Sequence, residues 1–174
     1  MPVSNRHRWF VLDDDNDLVE ELMELGREID SMPIVTQCID DAIAAAKTHS
    51  CEICVAFIDM MLPKSPKDLL TLNDLMRQRE GLDTGRPLMD PGSLRAIDDQ
   101  IRPLIDINGG FTFLKSEAQV AMAEWVIYVF SARTPPANIE EELKCGQALE
   151  VKWMQKPVEP DEILDLLKTH IRNR

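Results

Sequence analysis

The sequence is short of cysteine, of basic residues and of long apolar runs. Four of its 174 residues are cysteine, too few for a disulfide scaffold in a chain whose N-terminus lacks the apolar core of a signal peptide. Lysine and arginine number 19 against 31 acidic residues, a formal charge of −12 that argues against direct binding to nucleic acid or to an anionic membrane. The chain contains no run of about 20 apolar residues, so we predict no transmembrane helix. We therefore expect a cytoplasmic protein with other partners.

Two of the cysteines, Cys51 and Cys54, lie close together, with His49 just upstream. A structural zinc site needs a second close pair of ligands, and Cys145 offers none. Cys54 also opens an apolar run, where a buried reduced thiol is common. The spacing therefore favours free thiols over a zinc site.

Five apolar runs alternate with segments of helical periodicity. The predicted strands are Arg8–Leu12, Ile34–Thr36, 54–58, 125–130 and 151–155. The predicted helices are a segment with Leu18, Leu22, Leu25 and Ile29 on one face, a segment capped by Asp40 and Asp41 that runs to Lys47, and the ranges 111–124, 137–149 and 161–171. Unbroken apolar strands between helices are typical of a parallel sheet covered on both faces. The pattern predicts an α/β flavodoxin-like, doubly wound sheet of five strands in the order 2-1-3-4-5.

Side chains that can bind ligands or take part in reactions follow four of these strands. Asp13 and Asp14 follow the first strand, Asp59 the third, Ser131 the fourth and Lys156 the fifth. Ligands of open α/β sheets bind at this carboxyl edge. Carboxylates in a group suit Mg²⁺, while a lysine and a hydroxyl beside them suit a phosphoryl group. One aspartate is then free to act as a nucleophile and form an aspartyl phosphate.

Four motifs carry a family resemblance. They are Val11-Leu12-Asp13-Asp14-Asp15, Phe57-Ile58-Asp59-Met60-Met61-Leu62-Pro63, Val129-Phe130-Ser131-Ala132 and Gln155-Lys156-Pro157-Val158. In this order, each closing an apolar strand, they resemble the receiver domain of two-component response regulators.

The resemblance implies a role for each residue. Asp59 matches the phosphoacceptor, and Asp14 and Asp59 match direct Mg²⁺ ligands, with the main-chain carbonyl of Met61 as the third and Asp13 acting through water. Ser131 matches the switch hydroxyl, Ala132 its N–H-donating neighbour, Lys156 the phosphate-binding lysine, Pro157 a proline after a cis peptide, and Trp153 a rotamer-switching aromatic.

The implied function is signalling and not turnover of a metabolite. A histidine kinase or a phosphotransfer protein would phosphorylate Asp59, and movements of Ser131 and Trp153 would alter the surface around residues 133–158. The output is a changed affinity for an unidentified downstream protein, with homodimerisation as a further option. A single-domain regulator and a piece of a longer protein both fit the sequence.

Two positions depart from the family pattern. Met61, two residues after the acceptor, stands where polar residues are frequent, and Arg133 lies two residues after the hydroxyl. In the family these positions tune the access of water to the phosphoaspartate. We hypothesise that apolar Met61 shields the phosphoryl group and slows self-dephosphorylation.

The length exceeds that of a plain receiver, and the surplus is placed at 64–107. The glycines of Asn108-Gly109-Gly110 suit the opening of the next helix in the family, so residues 1–63 and 108–174 form the receiver core of one domain spanning 1–174, with a helical insertion in the third β/α connection. A capping box at Ser65-Pro66-Lys67-Asp68 and a second start at Asp90-Pro91 predict two helices there. The insertion is either a decorative hairpin, or a lid or docking surface beside Asp59. Its arginines are Arg77, Arg79, Arg86, Arg95 and Arg102, which either reach a phosphate or form a solvated face.

Two other functions stay open. Asp13-Asp14-Asp15 has the Asp-x-Asp spacing of haloacid-dehalogenase-type Mg²⁺ phosphatases, which would use Asp13 as the nucleophile. A protein-interaction module that takes no phosphate would instead use the insertion as a constant interface. The three acids also suit a plain helix N-cap, but a cap does not explain Asp59, Ser131 and Lys156.

Overall fold

Strands and helices alternate along the chain in the computed structural model, which describes residues 8–83, 91–134 and 149–172. In chain order the elements are β1 (Arg8–Leu12), α1 (Asn16–Glu28), β2 (Ile34–Thr36), α2 (Ile39–His49), β3 (Ile53–Asp59), β4 (Leu62–Pro63), α3 (Pro66–Asp83), α4 (Pro91–Ile101), β5 (Ile105–Asp106), α5 (Gly109–Leu114), β6 (Val126–Ser131), β7 (Glu150–Gln155) and α6 (Pro160–Arg172). Short 3₁₀ turns follow α4 and α5, at Arg102–Leu104 and Gln119–Met122. The helix predicted at 137–149 falls outside the described residues apart from its last position. In the described ranges, no helix has the length and apolar character needed to span a membrane.

Five of the strands form one parallel sheet in the order β2-β1-β3-β6-β7. The remaining two, β4 and β5, form a separate antiparallel pair. This pair lies outside the main sheet. When the five strands of the main sheet are numbered in chain order, their order is 2-1-3-4-5, and the predicted flavodoxin-like topology is confirmed.

Both faces of the sheet are covered by helices, as the apolar strands require. Every residue of β3 and of β6 is buried. Adjacent strand residues point to opposite faces, so Trp9 packs in the cluster that contains Leu22 of α1 and Ile163 of α6. Phe10 packs in the other cluster, with Phe113 of α5. Two hydrophobic cores therefore hold the sheet between them.

Two local predictions are wrong. The single helix expected over 111–124 is broken after Leu114, because Ser116 accepts hydrogen bonds from the Ala118 N–H at its Oγ (3.2 Å) and from the Gln119 N–H at its carbonyl (3.0 Å). Ala118 and Met122 are still fully buried. The spacing of apolar residues that predicted a continuous helix is therefore also compatible with a short helix followed by a turn. The N-cap of α2 is Cys38, without a side-chain hydrogen bond. Asp40 and Asp41 lie in the first turn of α2 instead, where their negative charges interact favourably with the helix dipole.

The segment between β3 and α5 contains the two expected helices. Ser65 Oγ accepts the N–H of Asp68 (3.2 Å) and donates to its carboxylate (2.7 Å), and α3 begins at Pro66. Helix α3 packs on α4, with an ion pair of 3.2 Å between Arg79 Nε and Asp98. Arg79 is therefore engaged within the helical pair.

Candidate functional site

Parallel strand register brings the candidate residues to one edge of the sheet. Leu12 pairs with Ile58, so Asp13 follows β1 next to Asp59 at the end of β3. Ser131, at the end of β6, pairs with Gln155, and Lys156 comes directly after. The carboxylates of Asp13 and Asp59, the hydroxyl of Ser131 and the ammonium of Lys156 therefore lie close together at the carboxyl edge of the sheet.

Lys156 connects the two buried carboxylates. Its Nζ lies 2.7 Å from Asp59 Oδ1 and 3.0 Å from Asp13 Oδ2. The Asp13 and Asp59 side chains are 3% and 10% exposed, whereas that of Lys156 is 26% exposed. Burial opposes the charge on the ammonium, but Asp13 and Asp59 together hold the pKa of Lys156 above its ordinary value. Lys156 also precedes the cis peptide to Pro157, as the resemblance implies.

The backbone orients the side chains of both Asp59 and Ser131. The N–H of Met61 donates to Asp59 Oδ2 at 2.7 Å. The N–H of Arg133 donates to Ser131 Oγ at 3.0 Å. Because Ser131 accepts this bond, its hydroxyl proton is free to donate to a group in front of it.

The acidic residues after β1 are not equivalent. Asp15 is the N-cap of α1, and its carboxylate accepts the N–H groups of Asp17 (3.0 Å) and Leu18 (3.3 Å). Asp13 accepts the N–H of Asp15 at 3.0 Å and pairs with Lys156. The N-cap interpretation therefore holds for Asp15, while Asp13 belongs to the site.

Burial, with neighbouring negative charge, raises the pKa of two of the carboxyls. Burial raises the pKa of Asp13 to about 6, against the opposing effect of Lys156. Burial, helped by the charges of Asp13 and Asp59, raises the pKa of Asp14 to about 7. Burial therefore disfavours the charged form of both carboxyls, and Lys156 offsets this effect only in part.

A cavity of about 270 Å³ is lined by the candidate residues other than Trp153. Its lining residues are Asp13, Asp14, Asp15, Asp59, Met60, Met61, Ile105, Ser131, Ala132, Arg133 and Lys156. Trp153 is absent from this lining; it packs in the core on the α5 side, with its ring centroid 6.4 Å from that of Phe111. The structure thus brings together every predicted site residue except the aromatic one.

One lining residue had no sequence signal. Ile105 belongs to β5, at the end of the segment assigned to the insertion, and it reaches the site because β5 pairs with β4 just after Asp59. Two-residue strands are too short to leave a periodic pattern. Arg133 was noted only as a departure from a family pattern, and the bond from its N–H to Ser131 follows from the backbone path.

Within residues 8–83, 91–134 and 149–172, no three His, Cys, Asp or Glu side chains are arranged to hold a metal ion as they stand. At the candidate site the Lys156 ammonium lies between the carboxylates of Asp13 and Asp59. Of the two close cysteines, Cys51 is exposed, whereas Cys54 is buried and donates to the carbonyl of Arg8 at 3.3 Å.

Comparison with known proteins gives a result at the level of fold. No protein-family model matches the chain, and no curated protein matches it. Among solved structures, a CheY-like response regulator receiver domain protein from Methanospirillum hungatei JF-1 has a TM-score of 0.58 at 13% identity, over 95% of this chain and 94% of that one. A two-component response regulator from Clostridium difficile has a TM-score of 0.55 at 13% identity, over 95% of both chains.

A third structure gives the same result. The Vibrio cholerae chemotaxis protein CheY4 has a TM-score of 0.54 at 15% identity, over 94% of this chain and 97% of that one. At such low identity the likeness concerns the fold, and it agrees with the strand order described above. The chain therefore has the fold of the response regulator receiver domains.

Proposed function

We propose that this chain accepts a phosphoryl group on Asp59 and uses it as a signal. The observation that carries the proposal is the Lys156 ammonium, shared between Asp59 and Asp13 at 2.7 and 3.0 Å. A cation beside the acceptor offsets the charge that phosphorylation adds, and Ser131 in the same cavity supplies a hydroxyl for a phosphoryl oxygen. The likeness in fold to receiver domains supports the proposal.

The donor set also suits Mg²⁺. Asp13, Asp14 and Asp59 supply carboxylate oxygens in one cavity, with the main-chain carbonyl of Met61 as a further ligand. Hard oxygen donors are those that Mg²⁺ prefers, and the raised pKa values of Asp13 and Asp14 reflect carboxylates short of a counter-charge. When bound, the ion would neutralise charge on the phosphoryl oxygens.

The transfer itself requires little of the protein beyond positioning. A carboxylate oxygen of Asp59 forms a bond to phosphorus, the P–N bond to the donor histidine breaks, and its electron pair stays on the imidazole nitrogen. The Met61 N–H holds one oxygen of Asp59, while Lys156, the Ser131 hydroxyl and the Ala132 N–H would hold the phosphoryl group. We propose a histidine kinase or a phosphotransfer protein as the natural donor, and the cytoplasm as the location of the reaction.

Phosphorylation would act by changing the affinity for a downstream protein or a second copy of the chain. Ser131 is drawn toward the phosphoryl group, and Trp153 lies on the adjacent strand, in contact with Phe111 of α5. In the described part of the chain, no hydrogen-bond partner is found for the buried indole N–H of Trp153. Its present rotamer is therefore held by packing and not by a hydrogen bond from the indole N–H.

The direct test is covalent incorporation. The purified chain is incubated with Mg²⁺ and a small phosphodonor such as phosphoramidate, and its intact mass and site of modification are determined. We expect one phosphoryl group on Asp59, and none in Asp59→Asn. Glu52→Gln is the matched control, since Glu52 is a surface carboxylate at the opposite edge of the sheet, paired with Arg8.

The same experiment separates the phosphatase alternative. A phosphatase of the haloacid dehalogenase type would keep an intermediate on Asp13 when Asp59 is replaced. The structure weighs against that assignment, because Asp15, which would be its general acid, is used as the N-cap of α1. Incorporation on Asp13 in Asp59→Asn would overturn the receiver proposal.

A titration with beryllofluoride tests the interaction-module alternative. This phosphoryl analogue should change the tryptophan fluorescence only with Mg²⁺ present, and Trp153→Phe should lose most of the change, because Trp9 and Trp125 are fully buried in the cores. No response with Mg²⁺ would favour a module that takes no phosphate.

A further inference from the structure

The acceptor cavity has an apolar wall that comes from outside the receiver core. Ile105 lines the same cavity as Asp59, Ser131 and Lys156. It lies at the far end of the segment assigned to the insertion. The apolar lining also includes Met60, which follows Asp59 directly and is buried, and Met61, which comes next and is 41% exposed.

Backbone pairing fixes the position of Ile105. Ile105 pairs with Pro63 and Asp106 with Leu62 in the antiparallel β4–β5 ladder. Leu62 is fully buried, and a Cβ placed on Gly109 would come within 2.8 Å of its side chain. The ladder is therefore clamped between the end of β3 and the start of α5, and Ile105 is held beside Asp59 by main-chain contacts.

Ile105 also borders a second cavity, which separates the insertion from the first turn of α1. This space of about 380 Å³ is lined by Asp14 and Asn16 on one side and by Leu72 and Met76 of α3 on the other. Three residues line both cavities, namely Asp14, Asp15 and Ile105, and Ile105 is the apolar one. A polar side chain at position 105 would offer water a hydrogen-bond partner at this boundary.

We infer that Ile105 controls the lifetime of the phosphoryl group on Asp59 by keeping water from that side of the cavity. The inference rests on the proposed phosphoacceptor function and gives the insertion a part in it. Ile105 is not a catalytic residue in this account; it determines access.

The reaction at issue is hydrolysis of the acyl phosphate. A water oxygen bonds to phosphorus, the P–O bond to Asp59 breaks, and the products are the free carboxylate and inorganic phosphate, which keeps the protons of the water. Attack requires a water molecule opposite the breaking bond. An aliphatic side chain at the wall offers such a water no hydrogen-bond partner, whereas a hydroxyl would.

The test compares two side chains of equal shape at position 105, with a control variant at position 107. Ile105→Thr and Ile105→Val differ only in a hydroxyl against a methyl group, and both are β-branched residues suited to a strand. Ile107→Thr is the position control, because Ile107 is 48% exposed and does not line the acceptor cavity. Each variant is phosphorylated with phosphoramidate and Mg²⁺, the donor is removed, and the loss of phosphate is followed by intact mass.

We expect Ile105→Thr to shorten the half-life by about threefold or more relative to Ile105→Val, the effect of admitting water to an enclosed reacting group. Ile107→Thr should keep the wild-type half-life. Equal half-lives for Ile105→Thr and Ile105→Val, or an equal shortening in Ile107→Thr, would overturn the inference while leaving the phosphoacceptor function intact. Absence of phosphate on Asp59 in the wild-type chain would instead overturn the proposed function, and the inference with it.

Discussion

The ammonium of Lys156 lies 2.7 Å from a carboxylate oxygen of Asp59, at the ends of strands that are not neighbours in the sheet. β6 separates β3 from β7, so the lysine crosses in front of Ser131 to reach the acceptor. The same ammonium contacts Asp13 on the far side of Asp59. One cation therefore ties three strand ends together.

Removal of that cation should destabilise the protein. In Lys156→Met, Asp13 and Asp59 face each other without a counter-charge, and we expect the free energy of unfolding at pH 8 to fall by about 2 kcal/mol, below the full cost of breaking a buried pair because Lys156 is partly exposed. Urea denaturation measures the change. Lys152→Met is the control: Lys152 pairs with Glu150 at the surface, at 2.9 Å, and its loss should cost under about 1 kcal/mol. Equal losses in the two variants would contradict the account.

The stability of the metal-free chain should depend on pH in a defined window. Asp13 and Asp14 have pKa values raised from 3.8 to about 6 and about 7, so the folded state binds their protons more tightly than the unfolded state does. Their contribution to stability is therefore full below about pH 4 and is lost as the pH rises through about 7. Mg²⁺ should raise the Tm more at pH 8 than at pH 5.5, because protons no longer compete for the carboxylates. Thermal unfolding with and without Mg²⁺ checks this; an equal Mg²⁺ effect at both pH values would contradict it.

A neutral isostere at position 14 should stabilise the metal-free protein. Asp14→Asn removes a carboxylate whose charge is disfavoured by burial and by Asp13 and Asp59, and we expect a gain of about 2 kcal/mol at pH 8. The variant should also lose most of the Mg²⁺-dependent increase in Tm. Asp17→Asn, in the exposed first turn of α1, should gain nothing and keep the Mg²⁺ response. A lower free energy of unfolding for Asp14→Asn would contradict this prediction, because it would show that the Asp14 carboxylate stabilises the metal-free fold.

Close packing at the start of α5 should make Gly110 intolerant of any side chain. A Cβ at this position would lie 2.6 Å from the carbonyl oxygen of Asp59 and 3.3 Å from the Cα of Met60. Because backbone cannot yield as a flexible side chain does, Gly110→Ala should lower the free energy of unfolding by about 2 kcal/mol or more. Gly81→Ala is the matched control: nothing lies within 4 Å of its Cβ position in α3, and it should stabilise by about 0.5–1 kcal/mol.

The side chain of Met61 should slow loss of the phosphoryl group. It lines the acceptor cavity, and Met61→Asn would place an amide there that is able to hold a water molecule. We expect a shorter half-life of the phosphorylated chain, measured by intact mass after removal of the donor. Met76→Asn is the control, since Met76 of α3 lines the adjacent cavity and not the acceptor cavity. A half-life of Met61→Asn equal to or longer than that of the wild type would refute the shielding hypothesis.

The strands and the polar residues behind them were predictable because burial on both faces leaves a strong local signal. Strand β3 is buried at every position, so its apolar run stops where the chain must place Asp59 at the edge. The helix predicted over 111–124 failed because its apolar spacing fits the turn at Ser116 equally well. The caps gave a mixed result: the capping box at Ser65 and Asp68 forms, whereas α2 begins from Cys38.

The alternating architecture and the set of acidic, hydroxyl and ammonium groups at the carboxyl edge could be predicted from the sequence. These depend on periodicity and on the ends of apolar runs, which are local properties of the chain. The fold was needed to show that Asp15 caps α1 while Asp13 pairs with Lys156, and that Ile105 lines the same cavity as Asp59. Those contacts depend on strand register and on a two-residue ladder between distant segments, and pairing of that kind leaves no periodic trace in either partner.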